Sequence, residues 1–137
     1  PAGVVGGVRF VNDSKATNVE AASRSIESFA GVVAIIGGRF KGGDLRRLRK
    51  PLSASGRAVV AIGEAAPLVR DALGDLVPVV IATSMADAVA RGYGFAAADG
   101  VVLLAPACAS FDWFRDYAER GESFKDEVRR LAQMKQP

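Results

Sequence analysis

Val32-Val33-Ala34-Ile35-Ile36-Gly37-Gly38 is a continuous apolar run that stops on two glycines. A strand with one wet face alternates apolar and polar residues, so an unbroken β-branched run predicts a strand covered on both faces. Residues 58–62, 77–82 and 101–105 repeat the pattern and are read the same way. Nearer the start, Val4-Val5 and residues 8–11 flank Gly6-Gly7, which predicts a short hairpin. Helical patterns separate these runs. The first covers residues 18–29, with Ala22, Ile26 and Phe29 at i, i+4, i+7 and Gly31 just beyond. Others begin near Asp44, after Gly63 with Pro67 early, and at Ser84, whose spacing to Asp87 suits a capping box, this last running to about Ala97. Residues 112–119 and, beyond Gly121, 124–131 read as two final helices, the second with a Phe124/Val128/Leu131 face. Strand–helix alternation of this kind predicts one α/β domain over residues 1–137. It is a Rossmann-like, three-layer arrangement, with a mostly parallel sheet, helices on both faces and a short N-terminal hairpin.

Bulk properties narrow the function. A chain of 137 residues with a formal net charge of +3 has too little positive charge to argue for nucleic acid, and its basic residues are interspersed with acids. No apolar run approaches the roughly 20 residues that span a bilayer, so no membrane insertion is expected. The absence of histidine removes Ser-His-Asp and Cys-His catalysis, and with one cysteine, Cys108, no metal site is expected. Cys108 reads as a small buried hydrophobe in a protein of the reducing cytoplasm.

In a parallel sheet, ligands collect beyond the carboxyl ends of the strands. Three segments there are unusual. The first, Val11-Asn12-Asp13-Ser14-Lys15-Ala16-Thr17-Asn18, is densely polar. Thr17 and Glu20 have capping-box spacing, which accounts for those two as well as a ligand does. Lys15 is not explained that way, because a cation near a helix N-terminus opposes the macrodipole, whereas an anion bound between the two would be favoured. The second, residues 37–44, combines four glycines with Arg39 and Lys41. It reads either as a flexible turn capped by Asp44 or as a loop whose backbone approaches a ligand. It is no Walker A loop, because Gly43 and Asp44 stand where Lys and Ser/Thr are required. The third, residues 105–112, is small-residue rich, with Ser110 either capping the next helix or donating to a carboxylate. Trp113 and Phe114 read as packing, and Tyr117 as the aromatic most able to reach a polar ligand. Gly92-Tyr93-Gly94-Phe95-Ala96-Ala97 matches a dinucleotide fingerprint formally, but it lies late in a helical pattern and is rejected.

Together the segments 12–18 and 104–112, the latter followed by Phe114, Arg120-Gly121 and Phe124, resemble the C-terminal domain of the D-glutamate-adding Mur ligases. The resemblance runs in order over essentially the whole chain. It implies a three-domain, ATP- and Mg2+-dependent ligase of peptidoglycan synthesis. In that enzyme the N-terminal domain holds UDP-N-acetylmuramoyl-L-alanine, the central domain holds the ATP phosphates and magnesium, and this domain carries the incoming D-glutamate. The acceptor carboxylate is activated as an acyl phosphate and attacked by the D-glutamate amine. Residue by residue, the resemblance assigns Lys15 as catalytic and places it with Thr17 near the D-glutamate carboxylates and the transferring phosphate. It makes Lys41 and Ser110 substrate-binding residues, puts Asp13 and Asn12 on the nucleotide side, and sets Tyr117 where the family commonly has phenylalanine near the amino acid. No Gly-x-x-x-x-Gly-Lys-Ser/Thr loop occurs in the chain, so this domain alone is expected to be inactive. Its expected partners are its own central and N-terminal domains. Two other readings stay open: the equivalent domain of another Mur-type or folylpolyglutamate-type ligase, and a non-catalytic metabolite-binding Rossmann-like module.

Overall fold

The apolar runs line up side by side in the computed structural model, which describes residues 2–110 and 112–135. Strands β1 (Gly3–Val5), β2 (Val8–Asn12), β3 (Val32–Gly37), β4 (Gly56–Ile62), β5 (Val79–Ile81) and β6 (Val101–Leu104) form one sheet. Its order is β1-β2-β6-β3-β4-β5. Only β1 and β2 pair antiparallel, as the expected hairpin, and the remaining neighbours run parallel. The interior strands β3 and β6 are buried at every position, which is what their unbroken apolar sequence demands. β5 departs from expectation. It is shorter than residues 77–82 and only half-buried, because it closes the sheet at an edge and has a partner on one side alone.

Helices α1 (Val19–Glu27), α2 (Arg49–Ser55) and α3 (Ala66–Leu73), with a short 3-10 turn (Leu45–Leu48), cover one face. There Ile26, Leu48, Leu52, Val69 and Leu73 pack on Val32, Ala34, Ile36, Val59 and Leu103. Helices α4 (Met85–Phe95) and α5 (Tyr117–Met134) cover the other, where Met85, Val89, Phe124 and Val128 meet Phe10, Val33, Ile35, Val60 and Val102. Phe124 is fully buried with its ring 6.3 Å from that of Phe10. Removing that ring is expected to cost about 3–5 kcal/mol. No helix among the described residues is long and apolar enough to cross a membrane.

The end of the chain differs most from its sequence reading. Residues 112–116 form turns and bends, and one helix of 18 residues runs through Gly121 without a break. Asp116 caps it by accepting from the Glu119 N–H at 2.8 Å, and the Glu119 carboxylate accepts from the Arg115 N–H at 3.0 Å. Gly121 is a contact residue, not a helix stop. A Cβ there would lie 2.6 Å from Ser14 Oγ and 2.9 Å from Asn12 Nδ2, so the polar segment after β2 rests directly on the helix backbone. Gly92, within α4, packs equally close on Val102, which accounts for the glycine of the rejected fingerprint.

Candidate functional site

β6 lies between β2 and β3. The helices that follow β2 and β3 go to one face of the sheet, and the helix that follows β6 goes to the other. Adjacent parallel strands whose connections leave in opposite directions open a crevice beyond their carboxyl ends. The three polar segments meet at that crevice, because they follow β2, β3 and β6.

Backbone hydrogen bonds lace them together, and the segment after β6 is the common partner. Toward the segment after β2, Asp13 N–H donates to Leu104 C=O at 2.9 Å and Ala107 N–H donates to Ala16 C=O at 2.8 Å. Toward the glycine loop, Gly37 N–H donates to Pro106 C=O at 2.9 Å, and Arg39 and Ala109 exchange bonds of 2.8 and 3.0 Å as an isolated bridge. Gly38 permits this approach. Its φ is +128°, and a Cβ there would collide with Ala109 C=O.

The side chains sort into caps and candidates. Asn18, not Thr17, caps α1. Its backbone is extended at φ −134°, and its side chain accepts from the Ala21 N–H at 2.8 Å. Glu20 pairs with Arg24 at 3.3 Å instead of reaching back. The Thr17 hydroxyl therefore stands outside the cap, on an exposed residue beside exposed Lys15. Asp44 caps the 3-10 turn, as expected, by accepting from the Arg46 N–H at 2.9 Å. That arginine holds the Asp44 carboxyl below the usual range. Ser84 accepts from the Asp87 N–H at 3.0 Å, also as expected.

Lys41 is exposed on the glycine loop, and Ser110 is buried at its junction with the segment after β6. Helix α5 starts at Tyr117 with Asp116 as its cap, so Ser110 does not cap it; the Ser110 carbonyl accepts from the Phe114 N–H at 2.9 Å. Tyr117 opens α5 and is exposed. Asn12 and Asp13 are half-buried and border a cavity of about 450 Å3 against α1, and Asn12 Oδ1 accepts from the Ser14 N–H at 3.1 Å. Phe111, part of the second resembling segment, lies outside the described residues. Trp113 and Phe114 pack edge to face at 6.3 Å against the second core, the packing role expected of them. Cys108 is buried, and burial pushes its thiol up to about 12, so it has no nucleophilic character at neutral pH. Among the described residues no group of three or more His, Cys, Asp or Glu side chains could hold a metal ion.

Sequence reasoning gave no role to Arg120. It is 1% exposed, and its Nη2 donates to Cys108 C=O at 2.9 Å and to Ser14 C=O at 3.3 Å. Its Nε and Nη1 are buried and have no hydrogen-bond partner among the described residues. Burial lowers its pKa to about 10, which leaves it charged at neutral pH. Its sequence signals were its place with Gly121 in the resembling segment and its i−4 spacing to Phe124 on the buried face of α5.

Comparison with known proteins identifies the relatives of this chain. The model of the family described as Mur ligase, glutamate ligase domain matches residues 2–108. The UDP-N-acetylmuramoylalanine--D-glutamate ligase of Desulfotalea psychrophila is 45% identical over 131 residues, 96% of this chain and 29% of that protein. The ligases of the same name from Syntrophus aciditrophicus and Acidobacterium capsulatum are 45% and 47% identical over 93% and 90% of this chain. The chain spans less than a third of the length of these relatives: 29%, 28% and 27%.

Proposed function

The chain belongs to the Mur ligase family through its glutamate ligase domain, and on that premise we propose that it binds the incoming amino acid in a ligase that joins D-glutamate to UDP-N-acetylmuramoyl-L-alanine. The names of the relatives supply the substrate. The observation that carries the reading is the lacing of three strand-end loops through residues 106–109, which gathers segments bearing Lys15, Thr17, Lys41 and Ser110 at one crevice.

A dicarboxylate asks for two cations and a few hydroxyl donors. Lys15 and Lys41 supply the charge, and Thr17 and Ser110 supply the hydroxyls. Holding both carboxylates fixes the direction of the amine, so the work of these residues is orientation, which removes the entropic cost of bringing two reactants together. Lys15, nearest the reacting groups in this reading, also stabilises negative charge as the amide forms. Tyr117 closes the amino-acid side of the crevice.

ATP and Mg2+ belong to the reaction, and the described residues do not fit them. They include no cluster of acids for a metal, and the sequence has no phosphate-cradling glycine-lysine loop. We assign both to other domains of the ligase, with Asn12 and Asp13 on the side of this site that faces the nucleotide. The remaining domains are accordingly this chain's partners, and a peptidoglycan precursor ligase would work in the cytoplasm.

The test is Lys15→Ala and Lys41→Ala in the full-length ligase. Each is expected to raise the D-glutamate KM, and Lys15→Ala to lower kcat by about 100-fold. Wild-type KM and kcat in both variants would remove the assignment. Turnover with another amino acid and none with D-glutamate would move it to a different ligase of the family.

A further inference from the structure

We propose that Arg120 is a positioning residue for the amino-acid site: its buried guanidinium clamps the loops after β2 and β6 so that Lys15 and Ser110 face one bound dicarboxylate. The inference rests on the amino-acid-binding reading above and adds to it a residue that touches no substrate.

Arg120 meets all three loops. Its Nη2 bridges two carbonyls, Ser14 at 3.3 Å and Cys108 at 2.9 Å. Ser14 immediately precedes Lys15, and Cys108 stands two residues before Ser110. Its Nη1 lies against the glycine loop, 3.0 Å from where a Gly38 Cβ would be. The neighbouring Gly121 lets Asn12 and Ser14 approach the helix closely enough for the bridge to form.

The energetics argue that the charge does more than fill space. A guanidinium removed from water is costly unless its donors are met and an opposite charge lies close. Two of its nitrogens, Nε and Nη1, are unmet among the described residues, and Asp112, the carboxylate that favours its charge, forms no ion pair with it and does not outweigh its burial. An apolar side chain of the same length would pack α5 onto the sheet at lower cost. What such a side chain cannot do is hold two carbonyls from different loops and add a third positive charge behind Lys15 and Lys41. A dianion entering the crevice interacts favourably with that charge at a distance, through an interior that screens it poorly. The cost of burying the arginine is therefore offset when ligand binds, and the binding geometry is set beforehand.

The experiment compares Arg120→Met and Arg120→Lys with Lys15→Ala and Lys41→Ala in the full-length ligase, measuring KM for D-glutamate and for ATP, kcat and thermal stability. Arg120→Met is expected to raise the D-glutamate KM about tenfold and leave the ATP KM within about twofold. Its melting temperature should change little, since loss of the costly buried charge offsets the two carbonyls left without their donor. Arg120→Lys, which keeps the charge on a single donor nitrogen, is expected to recover part of the loss; if the methionine variant does not fold, the lysine variant carries the same KM comparison. An unchanged D-glutamate KM, or KM values for both substrates rising together, overturns the proposal while raised KM values in the lysine-15 and lysine-41 variants leave the site reading intact. If those two variants also bind D-glutamate normally, the site reading falls and the inference falls with it.

Discussion

At the amino ends of the parallel strands, Arg9 lies over the Phe29 ring at 5.5 Å, and Arg57 donates through Nε to Phe95 C=O at 2.5 Å. Both residues are exposed, and both face the C-terminal ends of helices, where carbonyls and the macrodipole favour a cation. At the carboxyl ends, Lys15 and Lys41 sit close to helix N-termini, and Arg120 is enclosed with two unmet nitrogens. A parallel α/β sheet directs helix N-termini to this edge, so a cation there works against the helix field unless a carboxylate offsets it, as Glu64 does for Arg39 at 3.3 Å. The difference teaches how to read charge in such a fold. A cation at the amino end sits where the helix ends favour it, whereas a cation at the carboxyl end sits where a bound anion would be favoured in its place.

The comparison can be broken most directly through Gly121. Gly121→Val drives a side chain into Ser14 and Asn12, and an overpacked contact of this kind is expected to cost about 3 kcal/mol in denaturant unfolding. The variant should lose D-glutamate binding as well. At the amino end, Gly31 has φ +64° with nothing within 4 Å of where a Cβ would stand, so Gly31→Ala meets backbone strain alone. About 1 kcal/mol is expected there, with no effect on KM. Equal costs at the two glycines, or a KM change at Gly31, would show that the ends do not divide as described.

The smallest effect separates structural carboxylates at the carboxyl end from site residues. Asp87 accepts from the Thr83 N–H at 2.9 Å and from Arg91 at 3.0 Å, and the Thr83 bond foremost lowers its pKa below 3.8. A carboxylate whose folded pKa is lowered stabilises above its unfolded pKa, and that contribution is lost as pH falls through the folded value. Asp87→Asn is therefore expected to flatten the acid limb of the stability curve below about pH 3.8 and leave turnover untouched. An unaltered acid limb would detach Asp87 from the fold's pH response.

Much of this molecule was legible before folding. The unbroken runs at 32–36 and 101–105 announce strands covered on both faces, Gly6-Gly7 announces the hairpin, and Ser84 with Asp87 announces a helix start, because each signal is local. The errors came where two local signals competed. Thr17 and Asn18 both offer a capping oxygen, and only the backbone conformation settles which one caps. Gly121 reads as a helix stop, but the contact with Ser14 explains it.

The sequence by itself determined the strands, the burial of all but the edge strand β5, and the polar character of three loops, since periodicity and composition act over a few residues. Only the tertiary structure decided that β6 enters between β2 and β3, that its following loop ties the other two together, and that Arg120 is buried among them. Its hydrogen bond to Ser14 spans 106 residues of chain. Burial and unmet hydrogen-bonding groups are properties of a site's surroundings, and those surroundings come from segments that the sequence alone does not bring together.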